Sequence, residues 1–248
     1  MAKSPEFFLT YYLGFKLPAH QLNWLQLWKI QFLLELAPRD HGKSWIFSYG
    51  LPLYDIYQSY ALSNLTSVDC RILQISKTEE QADKYAQQVQ KTITENPFLK
   101  EDFGDIRQPA NWYKARFMCK RAIVDSIEKD YTYERIGVIG SATGGHFSRI
   151  IADDILDDEN TKTADRMATI ENWFWGTIWN MRESDTRYTV VGTRKNRRDM
   201  YSRLMDSPAW HANVERAIIQ YPEIPDPNKP GQMKQPRYNI TTKGRKIS

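Results

Sequence analysis

The stretch LAPRDHGKSW, residues 36–45, joins a short apolar run, QFLLEL (31–36), to a longer apolar stretch that begins at Ser44. The run has the length of a buried strand, and the longer stretch has the length of a helix. A strand, a turn and a helix that starts at Gly-Lys-Ser form a context typical of phosphate-binding loops. The usual pattern opens on glycine, whereas this chain has Ala37 there and carries Arg39 in the middle of the turn. We therefore predict a variant of that loop.

The loop residues have distinct predicted roles. Asp40, His41 and Gly42 lead into the helix N-terminus, where backbone N–H groups and the helix dipole favour an anion. Lys43 is expected to reach the β- and γ-phosphates of a nucleotide, and the Ser44 hydroxyl is expected to ligate Mg²⁺. The sequence therefore predicts ATP and Mg²⁺ as the ligands of this loop.

A pair of carboxylates follows a second apolar strand, RIIADDILDDE (149–159). Asp153 is placed to hold Mg²⁺ through water, as the aspartate of the second nucleotide-binding motif does. The next carboxylate, Asp154, is the first candidate to polarise the attacking water in hydrolysis, although a glutamate is more usual there. Glu159 is the alternative, and the remaining acidic residues of the stretch suit a solvated loop.

Apolar strands alternate with helices along the chain, which predicts an α/β fold with a mostly parallel sheet covered by helices on both faces. Residues 1–30 read as a helical lead-in that breaks at KLPAH. The predicted strands and helices beyond the loop are strands 70–76, 149–155, 187–193 and 213–221, a pair of strands within 111–127, and helices 44–62, 77–96, 163–183 and 197–206.

The composition of the 248 residues fits a globular protein with a substantial core, since 41% are hydrophobic and 26% charged. The formal net charge of +4 is compatible with nucleic acid but does not require it. No apolar run reaches the ~18 residues of a membrane span. Two cysteines without metal-ligand spacing favour a reducing compartment, so a soluble intracellular protein is expected.

The composition changes after Tyr221. Residues 222–248 are rich in proline and polar residues and show no periodicity, which predicts an extended tail or linker. Residues 1–221 are accordingly predicted to form one nucleotide-binding domain.

The succession of motifs resembles the ATPase domain of large terminase subunits, the motors that package DNA into tailed-phage and herpesvirus heads. The matching elements are Gln21, PRDHGKS, ISKTEEQA, RIIADD and VVGTR, in the family's order, over about residues 15–205. The resemblance implies a P-loop NTPase of the additional-strand, RecA-like type, with PRDHGKS as Walker A and RIIADD as Walker B.

The resemblance also implies roles for three further residues. Terminase phosphate loops carry an arginine three places before the glycine, so Arg39 is implied to contact or sense the phosphates; the alternative is a surface arginine paired with Asp40. Gln21 stands where the family has an adenine-reading glutamine. Thr193, in VVGTR, stands in the motif that couples the γ-phosphate to DNA movement.

The chain departs from the family at the arginine finger, which many terminases carry in an Arg-Gly pair before the acidic residues. Here those positions are Thr143-Gly144. Arg149, Arg135 or Arg194 could substitute, and we favour Arg149. A second departure is that the tail has no carboxylate cluster of the nuclease domain that follows in full terminases, so no nuclease activity is expected from this chain.

The predicted function is therefore that of an ATP-hydrolysing motor that moves double-stranded DNA into a procapsid. The implied partners are double-stranded DNA, the capsid portal, the small terminase subunit and further copies of the chain. The chain is expected to be a monomer when alone and to form a ring, expected to be a pentamer, during packaging. The implied location is the host cytoplasm, on the procapsid. The alternatives are another DNA-dependent ATPase such as a helicase, or a non-catalytic nucleotide- or DNA-binding module.

Overall fold

The computed structural model describes residues 4–62, 70–120, 131–140, 145–194 and 199–215, together with four dipeptide strands in the tail. Eight strands of the described part form one sheet. The strands are β1 Phe32–Leu36, β2 Ile72–Ser76, β3 Arg107–Trp112, β4 Arg116–Cys119, β5 Tyr133–Gly137, β6 Phe147–Asp153, β7 Arg182–Gly192 and β8 His211–Val214. Their order in the sheet is β3-β4-β5-β2-β6-β7-β1-β8.

The sheet is parallel from β5 to β8, and β3 and β4 add antiparallel at one side. The carboxyl ends of parallel strands meet at the same edge, so the ends of β1, β6 and β7 come together there. Leu36 pairs with Gly192 and Asp153 pairs with Val191 at this edge. The outermost strands are β3, whose register with β4 is irregular around Pro109, and the four-residue β8.

Helices cover both faces of the sheet. Thr78 and Thr163 are the N-caps of the helices that begin at Glu79 and Ala164, because each hydroxyl accepts a hydrogen bond from the backbone N–H three residues on. The helices are α1 Pro5–Phe7, which continues as a π-helical turn over Phe8–Tyr12, α2 Ala19–Leu27, α3 Leu51–Leu62, α4 Glu79–Glu95, α5 Pro97–Phe103, α6 Ala164–Trp173 and α7 Met200–Asp206.

Alternate residues of β1 enter two separate cores. Leu33 packs with Trp24 and Phe47 on the face that carries α2, α3 and α4. Leu34 packs with Phe174 and Tyr188 on the face that carries α6 and α7. The apolar spacing of the aromatic helix after Thr163 therefore serves core packing, as its periodicity predicts.

The helix that leaves the loop is irregular before Pro52. Residues Trp45–Gly50 form a π-helical segment, and regular α-helix starts at Leu51. Proline has no N–H for the i−4 carbonyl and its ring crowds that carbonyl, which favours a local departure from α geometry. The helix is thus disturbed by a π segment in the turn before Pro52.

Several predicted bounds differ from the structure. The predicted strand pair within 111–127 is present as β3 and β4 but starts earlier, while α5 and β5 were not predicted. The last strand ends at Val214, before most of the predicted 213–221. The turn 141–144, where the missing arginine finger was considered, and the domain boundary near 221 lie outside the described residues.

The tail contributes two small antiparallel pairs, Ile224–Pro225 with Met233–Lys234 and Asn239–Ile240 with Lys246–Ile247. Among the described helices, none combines the length and the apolar character needed to cross a bilayer. Cys70 and Cys119 are buried and are not joined in a disulfide.

Candidate active site

The loop between β1 and the following helix has two residues with positive φ, Asp40 at 62° and Gly42 at 81°. Aspartate tolerates this conformation, whereas most side chains do not. A Cβ at Gly42 would also lie 2.7 Å from the Gln21 side-chain nitrogen. Gln21 in turn donates to the His41 carbonyl at 2.8 Å. Gly42 therefore permits both the turn and the close approach of Gln21.

Lys43 is directed into the loop and is only 6% exposed. Its ammonium donates to the Ala37 carbonyl at 2.8 Å, to the Pro38 carbonyl at 2.9 Å and to the Thr193 hydroxyl at 3.2 Å. Burial lowers the pKa of Lys43, and the negative charges of Asp154 and Asp153 oppose that shift. The loop thus holds a desolvated cation on carbonyl oxygens, in a position from which it can exchange to phosphate oxygens.

Thr193 joins the end of β7 to the loop. Its hydroxyl accepts from Lys43 and donates to the Ala37 carbonyl at 3.2 Å, and the Ala37 N–H donates to the Gly192 carbonyl. A Cβ at Gly192 would lie 2.5 Å from the Tyr201 hydroxyl, so a larger residue does not fit there. The residue proposed to sense the γ-phosphate is therefore in direct contact with the loop lysine.

Asp153 ends β6 as a completely buried carboxylate. One of its oxygens, Oδ2, accepts from the Ser48 hydroxyl at 2.7 Å, whereas Oδ1 has no hydrogen-bond partner within the described ranges. Burial, assisted by Asp154, raises the pKa of Asp153 to about 6, and the Ser44 and Ser48 hydroxyls act in the opposite direction. An unpaired, buried carboxylate oxygen suits a cation, because the cation would compensate its lost hydration.

The donor set fits Mg²⁺. The Ser44 hydroxyl and the carboxylate of Asp153 are hard oxygen ligands, and Mg²⁺ in nucleotide sites uses one or two such groups besides phosphate oxygens. The described part of the chain holds no cluster of three metal-ligating side chains, and this mode of binding does not need one.

The two candidate bases differ in their surroundings. Asp154 has a positive φ of 49°, and its N–H donates to the Val191 carbonyl at 2.8 Å, which fixes it at the edge beside Asp153. Glu159 is exposed and is paired with Lys162 and Arg166, which lower its pKa. Both residues remain predictions, but a carboxylate occupied by two cations is the poorer base.

No protein-family model matches the chain, and no curated protein matches it. The solved structures that are similar in fold include those of two phage proteins. The ATPase domain of the Thermus phage P74-26 large terminase is 15% identical, with a TM-score of 0.53 over 84% of each chain. The bacteriophage HK97 large terminase is 14% identical, with a TM-score of 0.52 over 88% of this chain and 44% of that one.

The chain has the fold of a large terminase ATPase domain. This confirms the predicted α/β fold class, with a mostly parallel sheet flanked by helices. The chain spans less than half the length of the HK97 terminase.

Within this terminase ATPase fold, Arg39 lies on the surface. Its side chain is 62% exposed and lies 3.7 Å from Asp158, which is 77% exposed, so the pairing differs from the one considered with Asp40. An exposed ion pair of this kind is worth little in water and is readily exchanged. Arg39 is therefore free to leave Asp158 for a phosphate.

Arg149 does not have the surroundings of an arginine finger. It is 2% exposed, its guanidinium lies 3.6 Å from the Trp28 ring centroid, and it pairs with Asp55 at 2.7 Å. A finger has to reach a neighbouring subunit, so these contacts argue against the preference for Arg149. Arg135 is likewise held by acidic residues of α4, whereas Arg194 is exposed at the end of β7.

Sequence reasoning missed Glu35, which lies in the middle of an apolar strand. The side chain is completely buried on β1, and one carboxyl oxygen accepts from the Asn213 amide at 2.8 Å. Burial raises its pKa to about 8, so the group carries a proton at neutral pH. Its partner lies 178 positions further on, which no local pattern reveals.

Replacing Glu35 with glutamine is expected to make stability less dependent on pH. The folded-state pKa of about 8 lies above the ordinary value of 4.5, so wild-type stability falls as pH rises through about 8. The advantage of Glu35→Gln in unfolding free energy should grow by roughly 1–3 kcal/mol between pH 6 and pH 9. Urea unfolding at both pH values measures this difference in unfolding free energy. The control is Glu95→Gln, because Glu95 is exposed. An advantage that stays constant with pH would contradict the assignment.

Proposed function

We propose that this chain is the ATP-hydrolysing motor domain of a viral DNA-packaging machine. The observation that carries the proposal is the meeting of three groups at the carboxyl edge of the sheet. Lys43 is held inside the loop on carbonyl oxygens and on Thr193, and beside it Asp153 carries an unpaired buried oxygen. A site for a metal–nucleotide complex needs a cation for the phosphates and a carboxylate for the metal, and Lys43 and Asp153 can supply them.

In the proposed cycle, ATP binding draws the ammonium of Lys43 from the carbonyls of Ala37 and Pro38 to the phosphate oxygens. Ser44 and Asp153 would hold Mg²⁺, which when bound neutralises the charge that develops on the phosphates. Arg39 exchanges Asp158 for the triphosphate, and Asp154 or Glu159 orients the attacking water. Gln21, next to the loop, is proposed to contact the adenine.

The exchange at Lys43 provides a coupling step. The Thr193 hydroxyl contacts Lys43 and also the Ala37 carbonyl, so withdrawal of the ammonium changes both partners of Thr193 at once. Since Thr193 follows β7 directly, the state of the nucleotide is passed to the segment after that strand. We propose that this segment leads to the surface that grips DNA.

The remaining parts of the proposal follow the terminase ATPase fold. P74-26 and HK97 proteins with this fold are large terminases, so double-stranded DNA, a capsid portal, a small terminase subunit and a ring of copies are the proposed partners. The proposed location is the host cytoplasm, at the procapsid. The arginine that completes a neighbour's site is then best sought among exposed residues such as Arg194.

The test is a comparison of nucleotide binding, ATP turnover and strand separation with the same preparation. We expect ADP binding that depends on Mg²⁺, slow ATP turnover that EDTA abolishes, and no separation of a partly double-stranded DNA. Strand separation would favour a helicase instead. Binding without turnover, even in the presence of DNA, procapsid and small subunit, would favour a non-catalytic module.

A further inference from the structure

Three completely buried polar side chains form a hydrogen-bonded chain that ends at Asp153, the carboxylate of β6. The Gln74 amide nitrogen donates to the Ser48 hydroxyl at 3.1 Å, and the Ser48 hydroxyl donates to Asp153 Oδ2 at 2.7 Å. None of the three side chains is exposed to solvent. These hydrogen bonds join β2, the π-helical segment and β6, and Gln74 and Ser48 are outside the predicted nucleotide and metal contacts.

The direction of this chain is fixed by its first donor. An amide nitrogen can only donate, so the oxygen of Ser48 accepts from Gln74 and its single proton must go to Asp153. Oδ2 of Asp153 therefore accepts from the Ser48 hydroxyl, whose own orientation is fixed by Gln74. Oδ1 has no hydrogen-bond partner inside the described ranges. A carboxylate with one oxygen fixed and one free has a defined rotamer and a defined direction for a cation.

The position of Ser48 in the helix explains why its hydroxyl can reach Asp153. It lies four residues after Ser44, so the two hydroxyls follow each other on one side of the helix that leaves the loop. Ile46 and Phe47, around Ser48, are buried apolar residues, and an apolar residue would be the ordinary occupant of such a position.

We propose that Gln74 and Ser48 are positioning residues that orient Asp153 for Mg²⁺, so that Oδ1 and the Ser44 hydroxyl are presented together to the metal. The inference rests on the proposed function, because it assigns the metal half of the same site. Removing a group that hydrogen-bonds to a metal ligand typically lowers the metal affinity by about 10–100-fold.

The test is the Mg²⁺ dependence of ADP binding, which needs no turnover. Isothermal titration of ADP at a series of Mg²⁺ concentrations gives the Mg²⁺ midpoint for each variant. We expect Ser48→Ala and Gln74→Met to raise the midpoint about tenfold or more, and to leave the weak ADP binding in EDTA unchanged. Ser48→Thr, which keeps the hydroxyl, is expected to restore the wild-type midpoint.

The matched control is Thr92→Val. It also removes a buried hydroxyl on the same face of the sheet, one that hydrogen-bonds to Tyr49 at 2.8 Å rather than to Asp153. Its Mg²⁺ midpoint is expected to equal that of the wild-type chain. Thermal unfolding of every variant separates a local effect on the metal from loss of the fold.

The outcomes distinguish the two levels of the proposal. A wild-type chain that needs Mg²⁺ for ADP binding, with unshifted midpoints in Ser48→Ala and Gln74→Met, overturns the positioning role and leaves the proposed function intact. If Ser48→Ala does not fold, the midpoint of Gln74→Met decides. A wild-type chain whose ADP binding is indifferent to Mg²⁺ overturns both.

Discussion

Replacing Lys43 with alanine is expected to lower ATP turnover by at least ~100-fold, the usual cost of removing one group that stabilises developing charge. The side chain is desolvated and is held by the carbonyls of Ala37 and Pro38 and by the Thr193 hydroxyl. Burial opposes its charge, so the fold gains little from the ammonium and should survive its removal. The loss should therefore appear in turnover and in ATP affinity, with a nearly unchanged melting temperature.

Steady-state ATP hydrolysis and thermal unfolding, measured on the same preparation, check this prediction. Lys91→Ala is the control, because Lys91 is exposed and lies 3.9 Å from Glu95 on the surface of α4. Turnover equal in wild type and Lys43→Ala would remove the loop from the proposed mechanism. Equal losses in the Lys43 and Lys91 variants would point to a general effect of lost positive charge.

Replacing Asp153 with asparagine is expected to lower ATP turnover strongly and to stabilise the protein at the same time. Loss of the metal ligand should lower turnover by roughly 100-fold or more, since a bound metal contributes several kcal/mol to the transition state. The pKa of about 6 in the folded protein exceeds the ordinary 3.8, so the wild type loses stability as pH rises through about 6. Asparagine removes this penalty, and its amide oxygen can still accept from Ser48.

The measurement is thermal or urea unfolding at pH 7.5 in EDTA, together with turnover in Mg²⁺. We expect the variant to gain roughly 1–3 kcal/mol in unfolding free energy without metal. With Mg²⁺ and ATP the order should reverse, because only the wild type is stabilised by the ligands. A variant that is less stable than the wild type in EDTA would show that Asp153 is primarily structural.

The elements with strong local patterns were predictable from the sequence. The helix after Thr78 has an N-cap and a regular apolar spacing, and β1 and β6 are apolar runs that end in the loop and in the carboxylates. Short elements without such a pattern, such as α5 and β5, were missed, because seven and five residues give too few repeats to establish a period.

The identity of the site residues was easier to predict than their partners. A loop motif names Lys43 and Ser44 directly, whereas the contact of Ser48 with Asp153 joins residues 105 positions apart and depends on how a helix packs on a strand. The same reason explains why the sequence misled us about Arg149. Its partner Asp55 is 94 positions away, and the buried ion pair between them does not suit an arginine finger. Spacing along one element, four residues from Ser44 to Ser48, was the one available signal.

The two outer strands of the sheet limit how copies of this chain can meet. Pro109 in β3 has no N–H to offer, and β8 presents only four residues, so neither side is a good template for another strand. In the proposed ring, we therefore expect subunits to be joined through loops and helix surfaces. Contacts of that kind can loosen and re-form in each round of nucleotide turnover, whereas a continuous intersubunit sheet would lock neighbouring subunits together.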